Sequence, residues 1–480
     1  MFREKEHEKM SKKIILTTVK EPMTFLDVPP VFLTEETMEE RKNKLITRMK
    51  EEGIDTLVIY ADKEHGANFE YLTGFIPRFE EGLLVVEASG NDTLIVGNEN
   101  LKMHAHSRIS TKLIHYPPFS LPNQPMTNEE SLAEIFATLG FKEKNKIGLI
   151  GWKMFTTQKV AASKLFDLPY FIVEAIRQTI DAKTELINAT YLMIGENGVR
   201  RENNANELAH YEYGANLASR CMLNALNKIE VGIKEVEVAE QLNGEGQTNT
   251  VVTIAATGTR FDYANLYPTH KKIKQGDALS LTTGFKGGLS SRTGFVVEKA
   301  EELPVEQADY LERVAKPYFK AIVTWLENLR VGLIGKEMYQ LIESVLPKQL
   351  FHWHLNPGHL TADEEWMASP IYEGSTEYLA SGMIFQLDII PSVPGYTGVS
   401  AEECVAIADE DLRTSIKENY PELWERICIR RNYLEEELNI CLNEAILPLS
   451  NTVAYLRPFY LAKTKALRVK NICGKNQMKA

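Results

Sequence analysis

Residues 275–285 read QGDALSLTTGF. Gly276 and Asp277 form a bend, and the mostly apolar run behind them has the length and composition of a buried strand. A strand of this kind leading into a metal site would carry a carboxylate near its centre, and here the centre holds Thr282 and Thr283. It reads as a ligand strand without its ligand. Whether a reaction was lost with that ligand depends on the rest of the chain.

The sequence around this stretch alternates short apolar runs with glycine-rich bends. TVVTIAATG, DALSLTTGF and GFVVEKA come first, then GMIFQLDIIPS and ECVAIAD. Helical sequence precedes them (NELAHYEYGANLASRCMLNALNKI) and separates them (PVEQADYLERVAKPYFKAIVTWLENL). Helices followed by a mostly antiparallel-looking strand set describe an α+β domain. Upstream, TEETMEERKNKLITRMKEEG begins a helix with Thr34 or Thr37 as N-cap, an apolar stripe of Met38, Leu45, Ile46 and Met49, and Gly53 as its stop. IDTLVIYAD is apolar almost throughout, as a strand buried on both faces is. YLTGF, GLLVVEA, DTLIVGNE and NKIGLIGWKMF continue it as strands or strand ends, which predicts an α/β domain over residues 35–180. The polar segment 178–206 reads as a helical bridge between the two.

A chain of 480 residues is long enough for two domains. Hydrophobic residues at 44% and charged residues at 25% leave ample material for a large core. A formal net charge of -12 argues against non-specific nucleic-acid binding, which needs a basic surface to displace counterions. Cys221, Cys404, Cys428, Cys441 and Cys473 lack metal-type spacing and read as reduced thiols of a cytoplasmic protein. The first residues, MFREKEHEKMSKKIILTTVKEP, have no apolar core of a signal peptide, and no apolar run is long enough to span a membrane.

Four segments carry a resemblance: NFEYLTGF (68–75), GDALSLTTGF (276–285), NPGHL (356–360) and GMIFQLDIIP…GVSAEECVAIAD (382–409). In this order they resemble the creatinase / prolidase / aminopeptidase P family over roughly residues 35–455. The resemblance implies an α+β protein with a creatinase-type α/β domain at 35–185 and a pita-bread domain at 190–455. An irregular extension at 1–34 and a tail at 456–480 flank them. It also implies a homodimer, with NFEYLTGF the candidate to approach the partner's cleft.

Active members of that family hold two divalent ions with two Asp, one His and two Glu, and bridging carboxylates let the ions share a hydroxide. Carried onto this chain, the first Asp position falls on Thr282 and the second on Thr293 or Arg292. None of these is a carboxylate. His359 in PGHL matches the family's metal His, Asp388 stands at the first Glu and Glu402 at the second. Each also has a plain structural reading: a turn histidine, a partnered buried acid and a solvated strand end beside Glu403. Three such ligands suffice for one divalent ion (manganese, zinc or iron), and the alternative is no metal. The family's substrate-side His falls on Asn265, which can hydrogen-bond but cannot act as a base.

The remaining substrate-binding candidates are Thr282, Arg292, His352 and His354. His352 and His354 would share one face of a strand, and Arg292 would neutralise Asp388 and Glu402 or bind a substrate carboxylate. The functional expectation is a hydrolase homologue acting on a small peptide or amidino C–N bond, with an atypical one-metal or metal-free site whose catalytic residues are His359, Asp388 and Glu402. The alternative is an inactive pseudo-peptidase that holds a small-molecule or dipeptide ligand in the same cleft.

Overall fold

The structure is a computed structural model that describes residues 13–126, 130–263 and 266–470, the side chains of 261–262 excepted. It divides into two compact units, one formed by Leu33–Arg201 and the other by Met1–Phe32 with Glu202–Ala480. Strand β1 (Ile14–Thr18) belongs to the second of these.

The Leu33–Arg201 unit opens with the helix Glu35–Glu51. Thr34 is its N-cap, accepting from the Thr37 amide at 3.2 Å, and Met38, Leu45 and Met49 are its buried stripe. Six strands follow: β2 (Thr56–Ala61), β3 (Gly82–Glu87), β4 (Thr93–Val96), β5 (Lys112–His115), β6 (Lys146–Ile150) and β7 (Glu185–Asn188). They form one mixed sheet in the order β5-β4-β3-β2-β6-β7. β2 is buried at every residue, as its unbroken apolar sequence requires.

Two segments differ from the sequence reading. NFEYLTGF is a helix, Ala67–Thr73, not a strand end: Phe69, Tyr71 and Leu72 are buried, and Gly74, at φ 77°, ends it in the left-handed conformation. The supposed helical bridge contains β7, paired parallel to β6, and the long helix begins only at Ala205. Asn204 and Glu207 cap that start reciprocally.

The other unit carries the remaining strands. These are β8 (Ile254–Thr257), β9 (Ala278–Phe285), β10 (Gly288–Phe295), β11 (His359–Leu360), β12 (Ile384–Gln386), β13 (Ser400–Glu402), β14 (Cys404–Ile407), β15 (Ile446–Pro448) and β16 (Lys465–Val469). Two four-stranded antiparallel sheets result, β13-β10-β9-β8 and β11-β12-β14-β15. The helix Ala205–Lys228 packs against β9 and β10. Contact there is so close that a Cβ on Gly214 would lie 1.8 Å from the Lys286 carbonyl oxygen. The ends of the chain, read as irregular, supply β1 and β16, which pair antiparallel from Ile14↔Val469 to Thr18↔Lys465. This pairing joins residues at opposite ends of the chain, so no local pattern announces it.

The β9–β10 hairpin sets everything that follows. Its loop is only Lys286-Gly287, with Gly287 at φ 108°, so Phe285 faces Gly288 and each residue further back has a fixed partner. Thr282 therefore stands opposite Ser291, and Ser291 opposite Glu402. Alternation sends these three side chains to one face of the sheet and Arg292 to the other. On that other face Arg292 is 1% exposed and binds Glu403 at 2.6 Å, the Thr452 carbonyl at 2.7 Å and the Tyr455 carbonyl at 3.0 Å. Ser290 donates to the same Glu403 carboxylate at 2.6 Å.

Cys221, Cys404 and Cys428 are free thiols, whereas Cys441 is disulfide-bonded, which corrects the reading of all five as reduced. Cys473 lies outside the described residues. No helix among the described residues is long and apolar enough to cross a membrane.

The buried Arg292–Glu403 pair gives a stability prediction. Arg292→Met leaves Glu403 as an unpaired buried charge and should cost about 3–5 kcal/mol in urea denaturation. Arg292→Met combined with Glu403→Leu should recover most of that loss, because the pair is then removed rather than broken.

Candidate metal centre

Three elements converge on one point. β11 presents His359, the chain just beyond β12 presents Asp388, and the last residue of β13 is Glu402. Each offers a ligand atom, and these atoms lie within 4.8 Å of one another. All three residues are buried, with His359 fully enclosed. The separations and the donor types, one imidazole nitrogen and two carboxylate oxygens, fit a single divalent ion.

The wiring of His359 strengthens that fit. Its Nδ1 lies 3.3 Å from the Leu360 carbonyl oxygen, an acceptor, and its Nε2 lies 3.3 Å from Glu365 Oε1 and 3.9 Å from Asp388 Oδ2. A cation on Nε2 would leave the ring proton on Nδ1, where the Leu360 carbonyl accepts it. Nε2 and Asp388 Oδ1 are both buried and make no hydrogen bond. Acceptors facing acceptors in a desolvated pocket are unfavourable until a cation or a proton enters. Trp366 stacks on the imidazole, with ring centroids 4.0 Å apart.

Both ligand carboxylates hold their protons more tightly than usual. Burial raises Asp388 to about 6, with Glu365 adding to the shift and His359 opposing it. Burial, then the charges of Asp388, Glu365 and Glu403, pushes Glu402 well above the ordinary carboxylate range. This is the behaviour of acids gathered in a low-dielectric site without their counter-ion.

The same sheet face continues in neutral hydroxyls. Thr282 donates to Ser291 Oγ at 2.9 Å, and Thr293 donates to Ser280 Oγ at 3.2 Å. Ser400 donates to the Ser291 carbonyl at 3.2 Å. Further along the strands, past Ala278 and Phe295, a cavity of about 360 Å³ opens, lined also by Thr259, Lys271, Lys274 and Thr397.

The sequence-derived site residues fall into three groups. His359, Asp388, Glu402 and Thr282 share one face of the site. Arg292 does not: it points to the opposite face, pairs with Glu403 rather than Asp388 or Glu402, and so neither replaces a metal nor meets a substrate there. Thr293 is also displaced, because the hairpin register puts Ser291, not Thr293 or Arg292, beside Thr282. His352 and His354 are exposed and lie on no strand; His352 is a left-handed residue at φ 52° that ends the short helix Lys348–Phe351, and between them Trp353 is buried. Asn265 lies outside the described residues. The sequence reading passed over Ser291 and gave Glu365 and Trp366 no role. A two-residue hairpin loop recognised at Lys286-Gly287 would have identified the first.

Comparison with known proteins bears on the family and the fold. Residues 41–193 match the Creatinase/Prolidase N-terminal domain, and residues 209–409 match Metallopeptidase family M24. No curated protein matches the chain. Among solved structures, the Xaa-Pro dipeptidase from Bacillus anthracis is similar, with a TM-score of 0.60 at 18% identity over 78% of this chain and 96% of that one. The prolidase from Pyrococcus horikoshii OT3 gives 0.57 at 19% identity, covering 77% of this chain and 95% of its own. The X-Pro aminopeptidase from Thermotoga maritima MSB8 gives 0.58 at 16%, covering 77% and 95%. With both domains matched in sequence and the two-domain fold matched in structure, the chain belongs to the creatinase / prolidase / aminopeptidase P family.

Proposed function

We propose that this chain is a one-metal member of its family, acting on a small peptide or amidino C–N bond, with His359, Asp388 and Glu402 holding the ion. The convergence of those three donors within 4.8 Å carries the proposal. Two carboxylates match the charge of one dication. At the family's two aspartate positions stand Thr282 and Ser291, whose hydroxyls bind each other at 2.9 Å. A second dication within about 4 Å of the first would meet strong repulsion without bridging carboxylates to offset it.

A bound divalent ion of manganese, zinc or iron type would polarise a carbonyl and acidify a water molecule. The protein's own groups do the rest. His359, with Nδ1–H held by the Leu360 carbonyl, keeps its Nε2 lone pair aimed at the site. The hydroxyls of Ser280, Thr293 and Ser400 offer donors and acceptors to a peptide backbone beside the site.

A second reading is a ligand-binding protein without turnover. It is favoured by the Thr282–Ser291 pair, since neither hydroxyl can act as a base at neutral pH. Association as a homodimer and a cytoplasmic setting complete the proposal. The three free thiols support the latter, and the Cys441 disulfide weighs against it.

Metal analysis of protein saturated with Mn²⁺ and then desalted should find one ion per chain. Asp388→Asn should abolish that ion and the rise in Tm that Mn²⁺ produces. Two tightly held ions in the unaltered protein would refute the site as drawn. Cleavage of a panel of Xaa-Pro dipeptides and amidino compounds then separates the readings: metal-dependent turnover supports the hydrolase, and saturable binding without product supports the alternative.

The register predicts how the second ion could be restored. Thr282→Asp with Ser291→Asp should raise the content to two ions per chain, whereas Thr282→Asp with Thr293→Asp should not. Light scattering at micromolar concentration should report a dimer, and a monomer there would refute the homodimer.

A further inference from the structure

We propose that Glu365 is a fourth ligand of the ion held by His359, Asp388 and Glu402, supplied from a loop rather than from the sheet, with Trp366 as the roof of the site. This rests on the one-metal reading above. A carboxylate moved from the strands to a loop would compensate in part for those missing at Thr282 and Ser291.

The loop is built to return. β11 ends at Leu360, and the chain comes straight back: the Leu360 amide donates to the Ala368 carbonyl at 2.7 Å and the Met367 amide to the Leu360 carbonyl at 3.0 Å. Within it, the Thr361 hydroxyl and the Ala362 amide both donate to the Glu364 carbonyl, at 3.0 and 3.2 Å. The Gly287 amide, in the β9–β10 turn, donates to the Ala362 carbonyl at 2.9 Å. So closed, the loop returns Glu365 and Trp366 over His359.

Glu365 Oε1 lies 3.3 Å from His359 Nε2, closer than Asp388 Oδ2 at 3.9 Å. Nε2 is fully buried and makes no hydrogen bond. With the ring proton on Nδ1, towards the Leu360 carbonyl, a carboxylate and an imidazole lone pair this close need something positive between them. The Glu365 side chain is 27% exposed, so it can approach an ion from the solvent side and leave again without breaking the core. Trp366, stacked on His359 and 39% exposed, shields the same side. One imidazole with three carboxylates is a mostly hard, oxygen-rich set, suited to Mn²⁺.

The test is calorimetric titration of chelator-stripped protein with Mn²⁺, with tryptophan fluorescence followed in parallel. The unaltered chain should bind one Mn²⁺ with a change in emission. Glu365→Gln should weaken binding about 10-fold or more, the least expected from losing a direct ligand where outer partners alone contribute 10–100-fold. Trp366→Phe should keep the affinity and lose the fluorescence change. Equal or tighter Mn²⁺ binding by Glu365→Gln would overturn the inference and mark Glu365 as a counter-ion of protonated His359. A full fluorescence response in Trp366→Phe would overturn the roof. No binding by the unaltered chain would instead defeat the one-metal reading, and this inference with it.

Discussion

The antiparallel register of β9, β10 and β13 is the constraint on which the site depends. Because Lys286-Gly287 is a two-residue loop, Thr282 meets Ser291 and Ser291 meets Glu402 without freedom to slip. A slip of one residue would bring Arg292 into the site and send Ser291 to the core. The close approach of the helix Ala205–Lys228 holds the turn in place from outside, since neither Gly214 nor Gly287 has room for a Cβ. Glu402 and Glu403 divide along the same line. One joins His359 and Asp388, and the other is enclosed with Arg292, Ser290 and Thr452.

That division also sets where the sheet carries uncompensated charge. Buried aspartates without a cation would each carry a desolvation cost of several kcal/mol. Thr282 and Ser291 carry none of it, because they are uncharged and the Thr282 hydroxyl donates to Ser291 Oγ. The cost survives where carboxylates remain, in the raised proton affinities of Asp388 and Glu402. On the far face Arg292 already neutralises Glu403, so that face is electrostatically complete. The demand for positive charge is confined to the point where β11, β12 and β13 meet, on the face of β10 opposite Arg292.

How far the sequence could be read follows from how local each feature is. The ordered segments around Thr282, His359, Asp388 and Glu402 identified the family and the two-domain α+β fold, because each is a short run with its own bends. Pairing between distant strands was harder. Arg292 was assigned to the site by counting glycines in KGGLSSRTG, and a count cannot choose a face until the loop length is fixed. NFEYLTGF was read as a strand end although its buried residues and Gly74 carry a helical signature. His352 and His354 share a face only if they lie on a strand, and the sequence assigns Glu365 no role. Its position depends on a hydrogen bond between Leu360 and Ala368, which no periodicity encodes.

The contents of the site bear on its chemistry. On β9 and β10 its face carries hydroxyls, while His359, Asp388 and Glu402 gather one imidazole and two carboxylates in a buried cluster. Such a cluster costs stability in the absence of a cation, and hydrophobic replacements of similar volume are commonly neutral or stabilising. A proton or a cation would relieve that cost, whereas the uncharged Thr282–Ser291 pair makes no such demand.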